Sequence, residues 1–198
     1  MSVLALAPRL PPLAAAILAW TIWLGHGPTC MVVIAAGIAL VAAQIARQDL
    51  ATFTISDHAV VALSLFGLAA RLSLAQGDGA TVFDALVSTG ADGLVCGGAF
   101  LAVREAFYRW RGHDGLGFGD VKLALAGGIL VGTDGFAWAV LAASLGGLAV
   151  APWIRSGPGD APARIPFGAL LAPTLWLVWL LTDGLPPIRA WFAAGGLL

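Results

Sequence analysis

His58-Ala59-Val60-Val61-Ala62-Leu63-Ser64-Leu65-Phe66-Gly67-Leu68-Ala69-Ala70-Arg71-Leu72-Ser73-Leu74-Ala75 is a nearly unbroken apolar run in which Arg71 is the only formal charge. A helix needs about 20 such residues to cross the hydrocarbon core of a bilayer, within a range of about 17–25. The run therefore reads as a membrane span. Runs of the same kind recur on both sides of it. Leu10 to Leu24 comes first and is followed by the turn Gly25-His26-Gly27-Pro28. Thr29 to Ala46 is the second, and Asp84 to Val103 follows the quoted run. Val121 to Gly132 and Phe136 to Ala151 are shorter, and Thr133-Asp134-Gly135 between them is a tight turn or a re-entrant break. Pro166 to Leu181 is the last clear span. The pattern predicts an all-α, polytopic transmembrane helical bundle of six or seven spans, forming a single domain over residues 1–198.

Composition agrees. The chain of 198 residues is 60% hydrophobic and 11% charged, whereas an ordinary soluble domain is about 45–50% apolar and about 25% charged. This excludes a soluble globular enzyme and a disordered chain. The net charge of −1 leaves no basic surface for nucleic acid. Cys30 and Cys96 stand far apart with no neighbouring histidine, so neither a zinc site nor a disulfide framework is expected. No small-residue cleavage site clearly follows the first apolar run, which reads as a retained span and not as a removed signal peptide.

Lys and Arg orient the bundle, because cytoplasmic loops carry the excess. With seven spans and the N-terminus inside, Arg9, Arg47, Arg104, Arg109, Arg111, Lys122, Arg155 and Arg164 lie on the cytoplasmic side. Only Arg71 and Arg189 lie outside. Trp20, Trp23, Trp153, Trp179 and Trp191 fall near span ends, as an interfacial aromatic belt requires. The polar stretches Arg47 to Asp57, Arg104 to Asp120 and Pro152 to Ile165 are then cytoplasmic loops, and the tail from Leu185 to Leu198 is given no role.

Ionisable residues at the hydrocarbon boundary are costly and usually functional. Asp78, Asp84, Asp92, Asp134 and Asp183 fall in or near external loops, where water solvates them, and Asp160 lies in a polar loop. Asp57 and Asp114 read as solvated loop residues, and Glu105 as one partner of a surface ion pair. Two acids differ. Asp49 closes the second span. Asp120 opens the fifth, directly after the turn Gly115-Leu116-Gly117-Phe118-Gly119-Asp120-Val121-Lys122-Leu123. The alternate glycines of that turn permit backbone bends closed to other residues and let another chain approach closely. A helix-capping Asp120 in a plain tight turn is the bland alternative. A phosphate-binding glycine loop fails on spacing and on the lack of a preceding strand.

Two aspartates on one membrane face can share a proton, because like charges held close together cannot both ionise. One then serves as general base on a water while the other, protonated, polarises a carbonyl. Such a pair hydrolyses a peptide bond without Ser, Cys or metal. His26, His58 and His113 each stand alone as loop or boundary residues.

At these residues the chain resembles the type IV prepilin peptidase family, the Gly-x-Gly-Asp intramembrane aspartyl proteases. Three segments carry the resemblance, in order. Asp49-Leu50-Ala51-Thr52-Phe53-Thr54-Ile55-Ser56-Asp57 resembles the first-aspartate loop, with Ser56 where the family usually has Pro, and Ala51 and Phe53 where basic residues are common. Gly115 to Leu123 resembles the second-aspartate motif. Ile165-Pro166-Phe167-Gly168 resembles the Pro-Phe-Gly segment that opens the last span. The family-like core runs from about Asp49 to Leu181. The resemblance implies an aspartic endopeptidase with catalytic Asp49 and Asp120, Asp57 being the alternative first aspartate. Gly117, Gly119, Lys122, Pro166 and Gly168 are plausible walls of the substrate site, although Lys122 is equally readable as a cytoplasmic anchor. It implies type IV prepilin or pseudopilin substrates, cut at the cytoplasmic face of the bacterial inner membrane, with membrane lipids as surroundings and no cofactor or metal. Lacking a match to the family's Cys-x-x-Cys domain, the sequence resembles the short form, and the resemblance implies no methyltransferase activity.

Three other readings compete. A presenilin or signal-peptide-peptidase type enzyme shares Gly-x-Gly-Asp but pairs it with Tyr-Asp and Pro-Ala-Leu, whereas the only tyrosine here, Tyr108, precedes Arg109. A small transporter or channel would place charge near the bilayer midplane within internal repeats, and no repeat is evident. A catalytically inactive homologue that only binds pilin would keep the fold without the reaction.

Overall fold

The computed structural model describes residues 28–77, 79, 81–112, 115–151 and 166–184. Five α-helices follow one another: α1 (Pro28–Thr52), α2 (Asp57–Gly77), α3 (Val82–Arg111), α4 (Phe118–Val150) and α5 (Phe167–Trp179). A π-helical turn, Leu180–Gly184, continues α5. The chain is an all-α, multi-pass membrane bundle. Five helical stretches are long and apolar enough to cross a membrane: Met31–Thr52, Asp57–Ala75, Val82–Arg111, Phe118–Val150 and Phe167–Gly184.

Six or seven spans were expected, and the described residues hold five. The run Leu10 to Leu24 lies outside the described residues, as do the loop 152–165 and the tail 185–198. Val121 to Gly132 and Phe136 to Val150 follow each other in α4 without an intervening loop, joined across the non-helical Gly132 next to the expected break at Thr133-Asp134-Gly135. The helices also run further than the apolar pattern suggested. α1 continues to Thr52 and α3 to Arg111, because Arg, Gln, Leu, Ala and Glu are good helix formers whatever their polarity. Long basic side chains there reach toward the interface. Arg104, Glu105, Arg109 and Arg111 are therefore helical residues, with Arg109 bonded to Glu105 one turn earlier at 2.9 Å.

Within α4, Gly132 alone is non-helical, at φ 72° and ψ 177°. That backbone region is essentially restricted to glycine. The chain doubles back there. A Cβ on Gly127 would lie 2.9 Å from both Leu175 Cδ2 and Phe136 Cδ2. In a straight helix, Gly127 and Phe136 would be separated by about 13 Å along the axis at 1.5 Å per residue. Gly135 likewise faces Val178 of α5. The second half of α4 thus packs back beside the first.

The opening half of α4 is the centre of the bundle. It runs antiparallel to α3, with Gly97 against Leu125 and Gly93 against Ile129. At Gly128 the two backbones nearly touch, since a Cβ there would meet the carbonyl oxygen of Asp92 at 2.5 Å. Such small-residue contacts replace the hydrophobic drive that lipid removes. Ile34, Ile38, Val41 and Ile45 form the buried stripe of α1, and Leu171, Leu175 and Trp179 that of α5. Trp176 Nε1 ties the two helices by donating to the Ala35 carbonyl at 3.2 Å. Trp179, expected in an interfacial belt, is instead fully buried in this core.

One acid of α3 is also placed differently from expectation. Asp92 is not in an external loop but inside α3, where its carboxylate accepts from Arg71 of α2 at 2.6 Å. Both side chains are about three-quarters shielded, at 28% and 24% exposure. The pair sits beside the reversal, since a Cβ on Gly132 would lie 2.6 Å from Arg71 Nη2. A charge within the apolar bundle is tolerable only when paired.

Candidate active site

Asp49 lies one turn before the end of α1, four residues beyond Ile45 on the same buried stripe. Helical periodicity carries it inward, and it is 5% exposed. The expected loop Arg47 to Asp57 is therefore short: only residues 53–56 connect α1 to α2. Asp120 is the third residue of α4, whose N-cap is Gly117, and its own N–H donates to the Gly117 carbonyl at 3.1 Å. α5 begins after Pro166, which caps the helix without any side-chain hydrogen bond.

The first N–H groups of a helix have no partner within it. The Asp49 carboxylate supplies one from outside. Its Oδ2 accepts from the buried backbone N–H of Ala169 at 2.8 Å. An aspartate of α1 thereby caps α5, and the positive end of that helix's dipole faces the carboxylate.

Gly168, next to that bond, is where the two acids meet. A Cβ on Gly168 would lie 3.0 Å from Asp49 Oδ2 and 3.3 Å from Asp120 Oδ1. The C-terminal end of α1 and the N-terminal ends of α4 and α5 thus converge on one side of the bundle. Both carboxylates thus border a single point beside the start of α5, the juxtaposition that a general acid–base pair needs.

The wall residues distribute unevenly. Gly168 borders both carboxylates, whereas Gly119, the residue before Asp120, faces Ile55. Gly117 stands at the start of α4, with Asp120 Oδ2 3.3 Å from the position of its missing Cβ. Pro166 opens α5 at the edge of the cluster. Lys122 points to another partner. Its Nζ donates to Asp57 Oδ1 at 2.6 Å and lies 5.1 Å from the Phe118 ring centre. Asp57, expected as a solvated loop residue, is thus an ion-paired residue in the first turn of α2. It faces Lys122, whereas Asp49 meets Asp120 at Gly168.

Beneath α5, Phe100 stacks edge-on to Phe136 at 5.3 Å and tilted to Phe167 at 6.3 Å. This aromatic cluster supports the first turn of α5 from the α3 side. Two participants escaped the sequence reading. The Ala169 N–H was foreshadowed by Pro166, since a proline helix start leaves the following N–H groups free and no local side chain was present to cap them. Ile55 was quoted only as part of a motif, and nothing local to it signals that it lies against Gly119 and Gly168. Among the described residues, no group of three or more His, Cys, Asp or Glu is arranged to hold a metal ion, and Cys96 is buried and unpaired.

Comparison with curated proteins and with solved structures gives no match. Comparison with family models does: the one described as "Type IV leader peptidase family" matches residues 34–152, a stretch that includes α2, α3, α4 and both aspartates. With more than half of its length matched, and with that helical architecture around the matched acids, the chain belongs to the type IV leader peptidase family.

Proposed function

We propose that this peptidase is a prepilin leader peptidase, cutting the basic leader of type IV prepilins or pseudopilins by an Asp49–Asp120 dyad that activates water. One carboxylate takes a proton from the attacking water, and the other, protonated, donates a hydrogen bond to the scissile carbonyl oxygen. As the tetrahedral intermediate collapses, a proton passes to the leaving amine and the dyad returns to its starting state. The observation that carries this reading is the approach of both carboxylates to Gly168, from helices that are remote in sequence.

Gly117, Gly119, Pro166 and Gly168 would wall the substrate site, with Ile55 lying against Gly119 and Gly168. Lys122 would contribute by holding Asp57 rather than by contacting substrate. The concentration of Arg and Lys at this end of the bundle supports a cytoplasmic orientation in a bacterial inner membrane. Prepilin and surrounding lipid would be the partners, with no cofactor.

The test is cleavage of a co-expressed prepilin, followed by mobility shift in membranes. Wild type should process it, while Asp120→Asn and Asp49→Asn should accumulate in membranes without processing it. Retained cleavage by Asp120→Asn would sink the dyad.

A further inference from the structure

We infer that Ile55 is a specificity-determining residue, whose side chain fills the space between Gly119 and Gly168 and limits the bulk of the substrate residue admitted beside the carboxylates. The inference rests on the peptidase reading above.

The segment carrying Ile55 is held at both ends. Phe53 adopts φ 52°, and its N–H donates to the Asp49 carbonyl at 2.9 Å, which closes α1. The Ser56 carbonyl accepts from Ala59 and Val60 at 3.1 Å each, which opens α2. Asp57 is tied to Lys122 of α4. Between these anchors Ile55 turns inward and is half-buried, while Phe53 beside it is 53% exposed.

Its contacts are with the two positions that have no side chain. A Cβ on Gly119 would lie 3.2 Å, 3.3 Å and 3.5 Å from Ile55 Cβ, Cγ1 and Cδ1, so the isoleucine lies flat across that glycine. A Cβ on Gly168 would lie 2.7 Å from Ile55 Cδ1, and the same point is within hydrogen-bonding range of Asp49 and Asp120 oxygens. The tip of Ile55 therefore borders the place where the reacting carbonyl would sit. Gly119 and Gly168 contribute no bulk there, so the shape of this space is set by Ile55. A β-branched side chain is stiff at χ1, which makes it a wall of fixed shape.

Pocket walls of this kind discriminate between substrates differing by one methylene by about 10–200-fold. A residue that merely packed would, on truncation, lower cleavage of every substrate alike. The selectivity ratio separates the two roles.

The experiment uses the full chain in membranes and a set of substrates, each an apolar segment preceded by a basic leader. The residues flanking the cleaved bond are varied in turn among Gly, Ala, Leu and Phe. Ile55→Ala should raise the kcat/KM of the bulky-residue substrates relative to the Gly substrate by about tenfold or more at one flanking position. Ile55→Phe should shift the ratio the other way. Ile55→Val, which removes one methylene, provides a smaller shift of the same sign should the alanine variant fail to fold. Ratios that stay at the wild-type value, or equal loss on all substrates, overturn the assignment of Ile55 while leaving the peptidase reading intact. Failure of the wild-type chain to cleave any member of the set overturns both.

Discussion

The carboxylate of Asp49 accepts a hydrogen bond from the backbone N–H of Ala169 at 2.8 Å, across a sequence separation of 120 residues. One bond thus joins the end of α1 to the start of α5 and holds an acid beside Asp120. The start of α5 is therefore part of the site and not merely an adjacent span, which makes Gly168 the position of greatest leverage.

Gly168→Ala should abolish or nearly abolish cleavage while leaving a folded protein. The added methyl would intrude on Ile55 Cδ1 at 2.7 Å, Asp49 Oδ2 at 3.0 Å and Asp120 Oδ1 at 3.3 Å. Displacing a catalytic group by 1 Å costs about 100-fold in rate. Cleavage rate in membranes, beside thermal stability in detergent, checks this. A Gly168→Ala variant within threefold of wild type would show that the carboxylates are not used in this arrangement.

Asp57→Asn and Asp49→Asn should differ sharply. Asp57 is 69% exposed and its bond to Lys122 is a surface ion pair, worth about 0–1 kcal/mol. Its loss should reduce cleavage less than tenfold, and raising the salt concentration should shrink the difference further. Asp49→Asn should be inactive. Rate measurements on both variants decide between them, and an inactive Asp57→Asn with an active Asp49→Asn would reverse the choice of first aspartate.

Gly132→Ala and Gly132→Asn should both be strongly destabilised, by about 1–3 kcal/mol from backbone strain alone. At φ 72° and ψ 177° asparagine has no advantage, because the left-handed region it tolerates lies near ψ 47°. Gly112, at φ 74° and ψ 8°, is the control: asparagine there should be tolerated better than alanine. Detergent melting temperatures of the four variants give the comparison.

Asp92→Leu and Arg71→Leu should each cost more than the double substitution. Removing one partner strands the other charge within the helices, whereas removing both leaves apolar contacts. With about a quarter of each side chain exposed, each single change should cost about 1–2 kcal/mol, below the 3–5 kcal/mol of a fully buried pair. A double-mutant cycle on thermal stability measures the coupling; additive losses would mean that the pair does not act as a unit.

The helical membrane class was legible because lipid solvates a long apolar run in only a few ways, and His58 to Ala75 contains one charge. Asp120 was legible for a local reason: Gly117, Gly119 and the acid lie in one turn, and the helix begins there. Asp49 was identifiable through its motif, but its burial follows from α1 running on to Thr52. Charged helix formers concealed that continuation, since apolarity and helix propensity part company at span ends.

Asp92 illustrates the opposite limit. Read alone it is a polar residue in a Gly-rich stretch, and a loop is its natural setting. It is helical because Arg71 of another helix neutralises it and Gly128 lets the backbones meet. The same holds for Trp179, whose composition suits an interface but whose position on the α5 stripe takes it to the core.

By itself the sequence determined the helical membrane class, the charge asymmetry and the local turns, because these depend on hydration and on backbone freedom within a few residues. Tertiary structure alone decided that Asp49 meets Ala169, that Ile55 fills the gap between Gly119 and Gly168 and that Asp92 finds Arg71. Those relationships arise from packing between helices, where close approach, pairing of charge and capping by a distant side chain follow from the arrangement of the whole bundle.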